Sequence, residues 1–122
     1  MPVNFGFRDE ENERINNVLK QLTALALVPE DWIEKDFDAQ LQKLTLSLET
    51  LLSISAEELV KYLNNYHFDY ANMEQFADAL ATLSKRVGYE GLKQKAVSIY
   101  TFIQQDSKQF SFTLFSKISN LN

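Results

Sequence analysis

Apolar residues recur at intervals of three and four along nearly the whole chain, and this spacing predicts helices. In the first segment Ile15, Val18, Leu19, Leu22, Leu25 and Ala26 form one stripe, with Glu11, Glu13, Arg14, Lys20 and Gln21 off it. The pattern predicts a helix from Asp9 to Leu27, with Asp9-Glu10-Glu11 at its electropositive start. A second stripe, Ile33, Phe37, Leu41, Leu44, Leu48 and Leu51, follows Pro29. Proline disfavours helix at the residue before it and fits the first turn after it. Pro29–Lys35 therefore reads either as a separate turn or as the start of one long helix, with Asp36 and Asp38 as later caps.

Ser55-Ala56-Glu57-Glu58 has the spacing of a capping box and opens a third helix that ends near Tyr66. His67-Phe68-Asp69-Tyr70-Ala71 reads as a connector. Asn72 offers the next cap, before the stripe Met73, Phe76, Ala77, Leu80, Leu83 and Val87, with Lys85 and Arg86 in the last turn and Gly88 as the stop. A fifth helix is predicted from Glu90 to Asp106. The tail carries two patterns. Phe110, Phe112 and Leu114 alternate as in a strand, whereas Leu114, Phe115, Ile118 and Leu121 repeat as in a helix. A lone strand would lack backbone partners, so a sixth helix is expected from Ser111 to Asn120.

The predicted fold is all-α: a single domain over 1–122, with 1–8 loosely ordered, built of five to six antiparallel amphipathic helices. Leu80–Ile103 resembles one tetratricopeptide-type helical hairpin. Leu80, Leu83 and Val87 take the large positions of that motif's first helix, and Gly91, Ala96 and Tyr100 the glycine, small and aromatic positions of its second. The motif's tryptophan is Leu80 here, its first-helix glycine is Ser84, and its closing proline is Lys108. The resemblance implies hairpin packing, either as a bundle or as a short stack.

Composition narrows the chemistry. No cysteine is present, which removes disulfides, thiolate metal sites and cysteine nucleophiles. No apolar run approaches the ~20 residues of a membrane span. Met1–Arg8 lacks a basic start followed by an apolar stretch, so a cytoplasmic protein is expected. The only histidine is His67, and no metal-binding histidine pair exists on a helix. Three glycines, at 6, 88 and 91, make no phosphate loop. No catalytic residue, cofactor or metal is expected.

The net charge of −5 is unevenly spread. Residues 1–38 hold nine acidic and four basic residues, and 84–122 hold two acidic and six basic. An acidic chain is a poor nucleic-acid binder, despite Lys85, Arg86, Lys93, Lys95, Lys108 and Lys117 interleaved with aromatics. Tyr62, Tyr66, His67, Phe68 and Tyr70 cluster around one connector, and Trp32 sits beside a proline corner. Large amphipathic side chains of this kind anchor interfaces.

The function expected is that of a non-enzymatic protein–protein interaction module, with Trp32, Tyr62, Tyr66, His67, Phe68 and Tyr70 as candidate contacts and another protein or a second copy as partner. The alternatives are an acidic inhibitor or immunity-type protein, with a continuous negative surface from 9–13 and 30–38, and a homo-oligomer held by its charge asymmetry.

Overall fold

In the computed structural model, residues 3–28 and 34–121 are described, with side chains from residue 10 onward. They form seven helices and no strand. These are α1 (Val3–Ala26), α2 (Glu34–Gln42), α3 (Leu48–Ser53), α4 (Ala56–Asn65), α5 (Tyr70–Leu83), α6 (Leu92–Ser107) and α7 (Phe112–Leu121).

The hairpin of α5 and α6 forms the centre, and its two helices run antiparallel. Tyr70 meets Asp106 at one end, and Asp78 meets Tyr100 further along. Helix α1 lies against α5 in the same direction: Asn72 Nδ2 donates to Asn12 Oδ1 at 2.7 Å, and Arg86 reaches Ala26 at the far end. Helix α2 covers α1, while α4 and α7 rest on α6. The core between them is aliphatic and aromatic, with Leu19, Leu22, Phe37, Leu59, Phe76, Leu80 and Tyr100 buried.

Three segments differ from the sequence pattern, each for a local reason. Helix α1 begins at Val3 rather than Asp9, so the acidic run lies inside the helix and not at its start. Extending an existing helix through Gly6 costs only about 1 kcal/mol, far less than nucleating a new one.

The second stripe is divided between α2 and α3. Thr45 adopts a left-handed φ of 55° that no continuous helix allows. Ser47 caps α3 by accepting the Thr50 N–H at 3.1 Å, and the Leu48 N–H donates to Asp38 Oδ1 at 2.8 Å. The stripe survives the break because Leu44, Leu46, Leu48 and Leu51 remain buried around the turn.

Helix α5 differs at both ends. It starts at Tyr70, because Asp69 and not Asn72 is the cap: Asp69 Oδ1 accepts the Asn72 N–H at 2.7 Å. It ends at Leu83, before Lys85, Arg86 and Val87. The Ser84 hydroxyl donates to Ala81 O at 2.6 Å, and Gly88 takes a φ of +95° to turn the chain. Val87 is therefore 92 % exposed and not part of the apolar stripe. Arg86 serves a neighbouring helix, where Nη2 donates to the carbonyls of Ala26 and Val28 and caps the end of α1.

The starts of α4 and α7 match the sequence pattern closely. Ser55 caps α4, accepting the Glu58 N–H at 3.1 Å, and Ser111 caps α7, accepting the Leu114 N–H at 3.2 Å. In the hairpin that resembles a tetratricopeptide unit, Leu80, Leu83, Ala96 and Tyr100 are buried. A Cβ added at Gly91 would meet nothing within 4 Å, so that glycine does not serve close helix packing.

Candidate interaction surface

Two aromatic clusters stand out, and they differ in how much of each faces solvent. The first is the connector between α4 and α5. Tyr62 and Tyr66 lie one helical turn apart and stack at 5.5 Å between ring centroids. Tyr66 leads to Phe68 at 6.2 Å, and Phe68 meets Phe76 of the core edge-on at 6.1 Å. The hydroxyls bond polar partners on neighbouring elements. Tyr62 donates to Leu44 O at 2.7 Å and bonds the Thr45 hydroxyl, which holds the strained turn between α2 and α3. Tyr66 Oη accepts from Arg14 Nη2 at 3.4 Å, and Arg14 Nη1 donates to Lys43 O at 3.0 Å. This ladder clamps α1 and the α2–α3 turn to α4.

His67 has a structural task of its own. Its φ is 70°, and the Phe68 N–H behind it donates to Leu63 O at 3.2 Å. This is a Schellman ending, in which His67 holds the left-handed position that glycine usually takes. The accompanying apolar contact is supplied by Leu63 and Phe68, both buried. Phe68, at 5 % exposure, is a core side chain. Tyr70 is exposed on one side, and its hydroxyl donates to Asp106 Oδ2 at 2.5 Å. That bond, burial and the Asp106 charge together raise its pKa. Trp32 lies outside the described residues. Of the side chains singled out in the sequence, the connector thus gathers Tyr62, Tyr66 and Phe68 into the fold and leaves His67 and Tyr70 at the surface.

The second cluster is hidden in the sequence by its ambiguous spacing. Phe110, Phe112 and Phe115 are 67 %, 79 % and 53 % exposed at the corner between α6 and α7, where Phe110 contacts both of the others. Phe110 meets Phe112 edge-on at 5.1 Å and Phe115 at 6.0 Å. At about 100° per residue, Phe112 and Phe115 share one side of α7, with Leu114 and Leu121 opposite. Leu114 is buried and Ile118 and Leu121 pack on the core. So the first turn of α7 is apolar on both sides, and only one side is covered. No charged residue occurs from Gln109 to Ser116.

The covered face of α7 is fixed by a polar network. Lys117 Nζ donates to Glu74 at 2.5 Å and to Asp78 Oδ2 at 3.2 Å, and lies 5.8 Å from the centre of the Tyr100 ring. The Tyr100 hydroxyl donates to Asp78 Oδ1 at 2.5 Å. Burial disfavours the Lys117 ammonium, but the bonds to Glu74 and Asp78 outweigh it, and its pKa is raised. Burial and then the Asp78 bond push the Tyr100 phenol far up.

Half of the basic residues of the last third bond inside the molecule, while Lys85, Lys93 and Lys108 are exposed. Lys117 holds α7, Arg86 caps α1, and Lys95 Nζ donates to Leu52 O at 3.2 Å at the end of α3. The acidic residues are also divided. Arg14 binds at the C-terminal end of α2, so Glu10, Glu11 and Glu13 lie near that end, whereas Glu34 and Asp36 occupy the other. At 1.5 Å per residue the length of α2 separates them by roughly 13 Å. Glu34, Lys35, Asp38, Leu48 and Glu49 line an open depression. Among the described residues, no three His, Asp or Glu side chains group as a metal site, and no helix is long and apolar enough to cross a membrane.

Comparisons with models of protein families, with curated proteins and with solved structures find no match to this chain.

Proposed function

We propose that this chain is a non-enzymatic helical interaction module whose contact surface is the corner formed by Phe110, Phe112 and Phe115. The observation that carries the reading is three touching phenylalanines, each more than half exposed, in a segment without charge. Interface cores are depleted of charge and enriched in aromatics. At 150–250 Å² per ring, the exposed portions sum to about 400 Å². That is the size at which an apolar patch on a monomer is usually functional. Covering it offers roughly 10 kcal/mol of gross hydrophobic gain, against an association cost of the same order.

The other readings draw less support. An acidic inhibitor needs a continuous negative face, and Asp38 is bound to the Leu48 N–H while the two acidic groups flank opposite ends of α2. Nucleic-acid binding and charge-driven assembly are left with Lys85, Lys93 and Lys108 as exposed cations of the last third, since Arg86, Lys95 and Lys117 bond within the fold.

Site-specific photo-crosslinking tests the choice of surface. A photoreactive phenylalanine analogue at 112 or 115 should form polypeptide adducts in cells, and the same group at Tyr70 should not. Adducts from Tyr70 alone would move the contact surface to the connector and overturn the reading.

A further inference from the structure

We infer that the occupant of the Phe110–Phe112–Phe115 corner is a second copy of this chain, docked α7 against α7 about a two-fold axis. The inference rests on the reading of that corner as the contact surface.

Three properties of the patch favour a copy of itself. First, an interface about a two-fold places the same surface on both sides, so the surface must complement itself. A phenylalanine ring is negative on its face and positive at its edge, and edge-to-face contacts satisfy both. Phe110 stands at 84° to Phe112 and at 43° to Phe115, so the cluster presents ring faces and ring edges side by side. It offers what its own copy requires.

Second, self-apposition brings like charges together, and here there are almost none to bring. Residues 109–116 carry no charge and Lys117 is turned inward to Glu74 and Asp78, so the charges beside the patch are the exposed Lys108 and Asp106, which receives the Tyr70 hydroxyl, and these two are of opposite sign. A partner selected by charge would need a patch of one sign here, whereas Asp106 and Lys108 at its edge carry opposite signs. For a chain of net charge −5, this neutral corner is where two copies approach with least repulsion.

Third, the area fits. A standard interface buries about 800 Å² on each side, somewhat more than half of it apolar. About 400 Å² of exposed ring surface per copy, ringed by Gln109, Thr113, Ser116 and Ser119, supplies that core and a polar rim.

Sedimentation equilibrium on the full chain, over a range of concentrations and at low and high salt, tests this. A monomer–dimer equilibrium is expected that high salt leaves unchanged or strengthens, because apolar contacts carry it. Phe112→Ser and Phe115→Ser should each weaken it by at least about 30-fold, the loss expected at an interface anchor. Both positions are exposed, so at concentrations where parent and variants are monomeric all should unfold at the same denaturant concentration. A chain that stays monomeric at high concentration overturns the second copy as occupant, yet leaves the corner available to a different protein. A dimer indifferent to both substitutions overturns the inference and the choice of surface together. A dimer that dissociates as salt rises overturns the apolar basis and restores charge pairing.

Discussion

Tyr89 and Tyr100 show how single side chains couple this fold to pH. Both rings are buried, and both phenols hold their protons more tightly in the folded chain. Burial, a bond to Glu34 and the charges of Glu34 and Asp38 push Tyr89 up to about 12. Burial and the Asp78 bond raise Tyr100 further. A group whose folded pKa is raised contributes its full stability below the unfolded value of about 10 and loses it above. Lys117, also raised, acts in the same direction. Lys95, which burial pushes down, works the other way, its cost fading as pH rises. The chain should therefore lose stability from about pH 10 towards 12, at roughly 1.4 kcal/mol per pH unit for each tyrosine that titrates only when unfolded. Absorbance near the phenolate band checks this. The signals of Tyr89 and Tyr100 should appear together with unfolding, and their appearance in a folded chain near pH 10 would contradict the bonding described.

At the level of single elements, helix ends decide the architecture more than helix faces do. Ser55 is legible as a cap because its capping-box spacing precedes a periodic apolar run, whereas Ser111 is legible only as the start of the last helix, which it caps. Ser47 is not, because the leucine spacing of its stripe continues across the turn and conceals the break. The stop of α5 is masked for a related reason: Val87 keeps the helical period although the chain has already left the helix at Leu83. The same physics yields a prediction at the end of α4. His67 holds a left-handed position that costs a non-glycine residue about 1 kcal/mol, and its side chain is exposed. His67→Gly should raise stability by about 0.5–1 kcal/mol in chemical denaturation. A loss of stability would mean that the imidazole makes contacts beyond its backbone role.

For the whole molecule, the all-helical, single-core arrangement is readable from periodicity, but the orientation of α1 is not. Helix α1 runs parallel to α5 because α2, α3 and α4 intervene, and only long-range contacts such as Asn12 with Asn72 fix that pairing. The surface is less legible than the fold. Composition draws attention to the tyrosine connector, yet Tyr62 and Tyr66 spend their hydroxyls on Leu44, Thr45 and Arg14, and Phe68 belongs to the core. The corner at Phe110, Phe112 and Phe115 carries its signal in a form that periodicity ignores: a first helical turn apolar on two sides within a segment free of charge. The charge gradient along the chain, prominent in the sequence, is partly consumed by internal bonds of Arg86, Lys95 and Lys117.

Amide NMR spectra recorded while the protein is diluted from millimolar to low micromolar concentration test most directly whether the phenylalanine corner is the contact surface. Signals of residues 108–116 should shift with concentration, while those of 62–70 stay fixed. Shifts centred on 62–70 would contradict the choice of surface, and no shift anywhere across the series would contradict the second copy as its occupant.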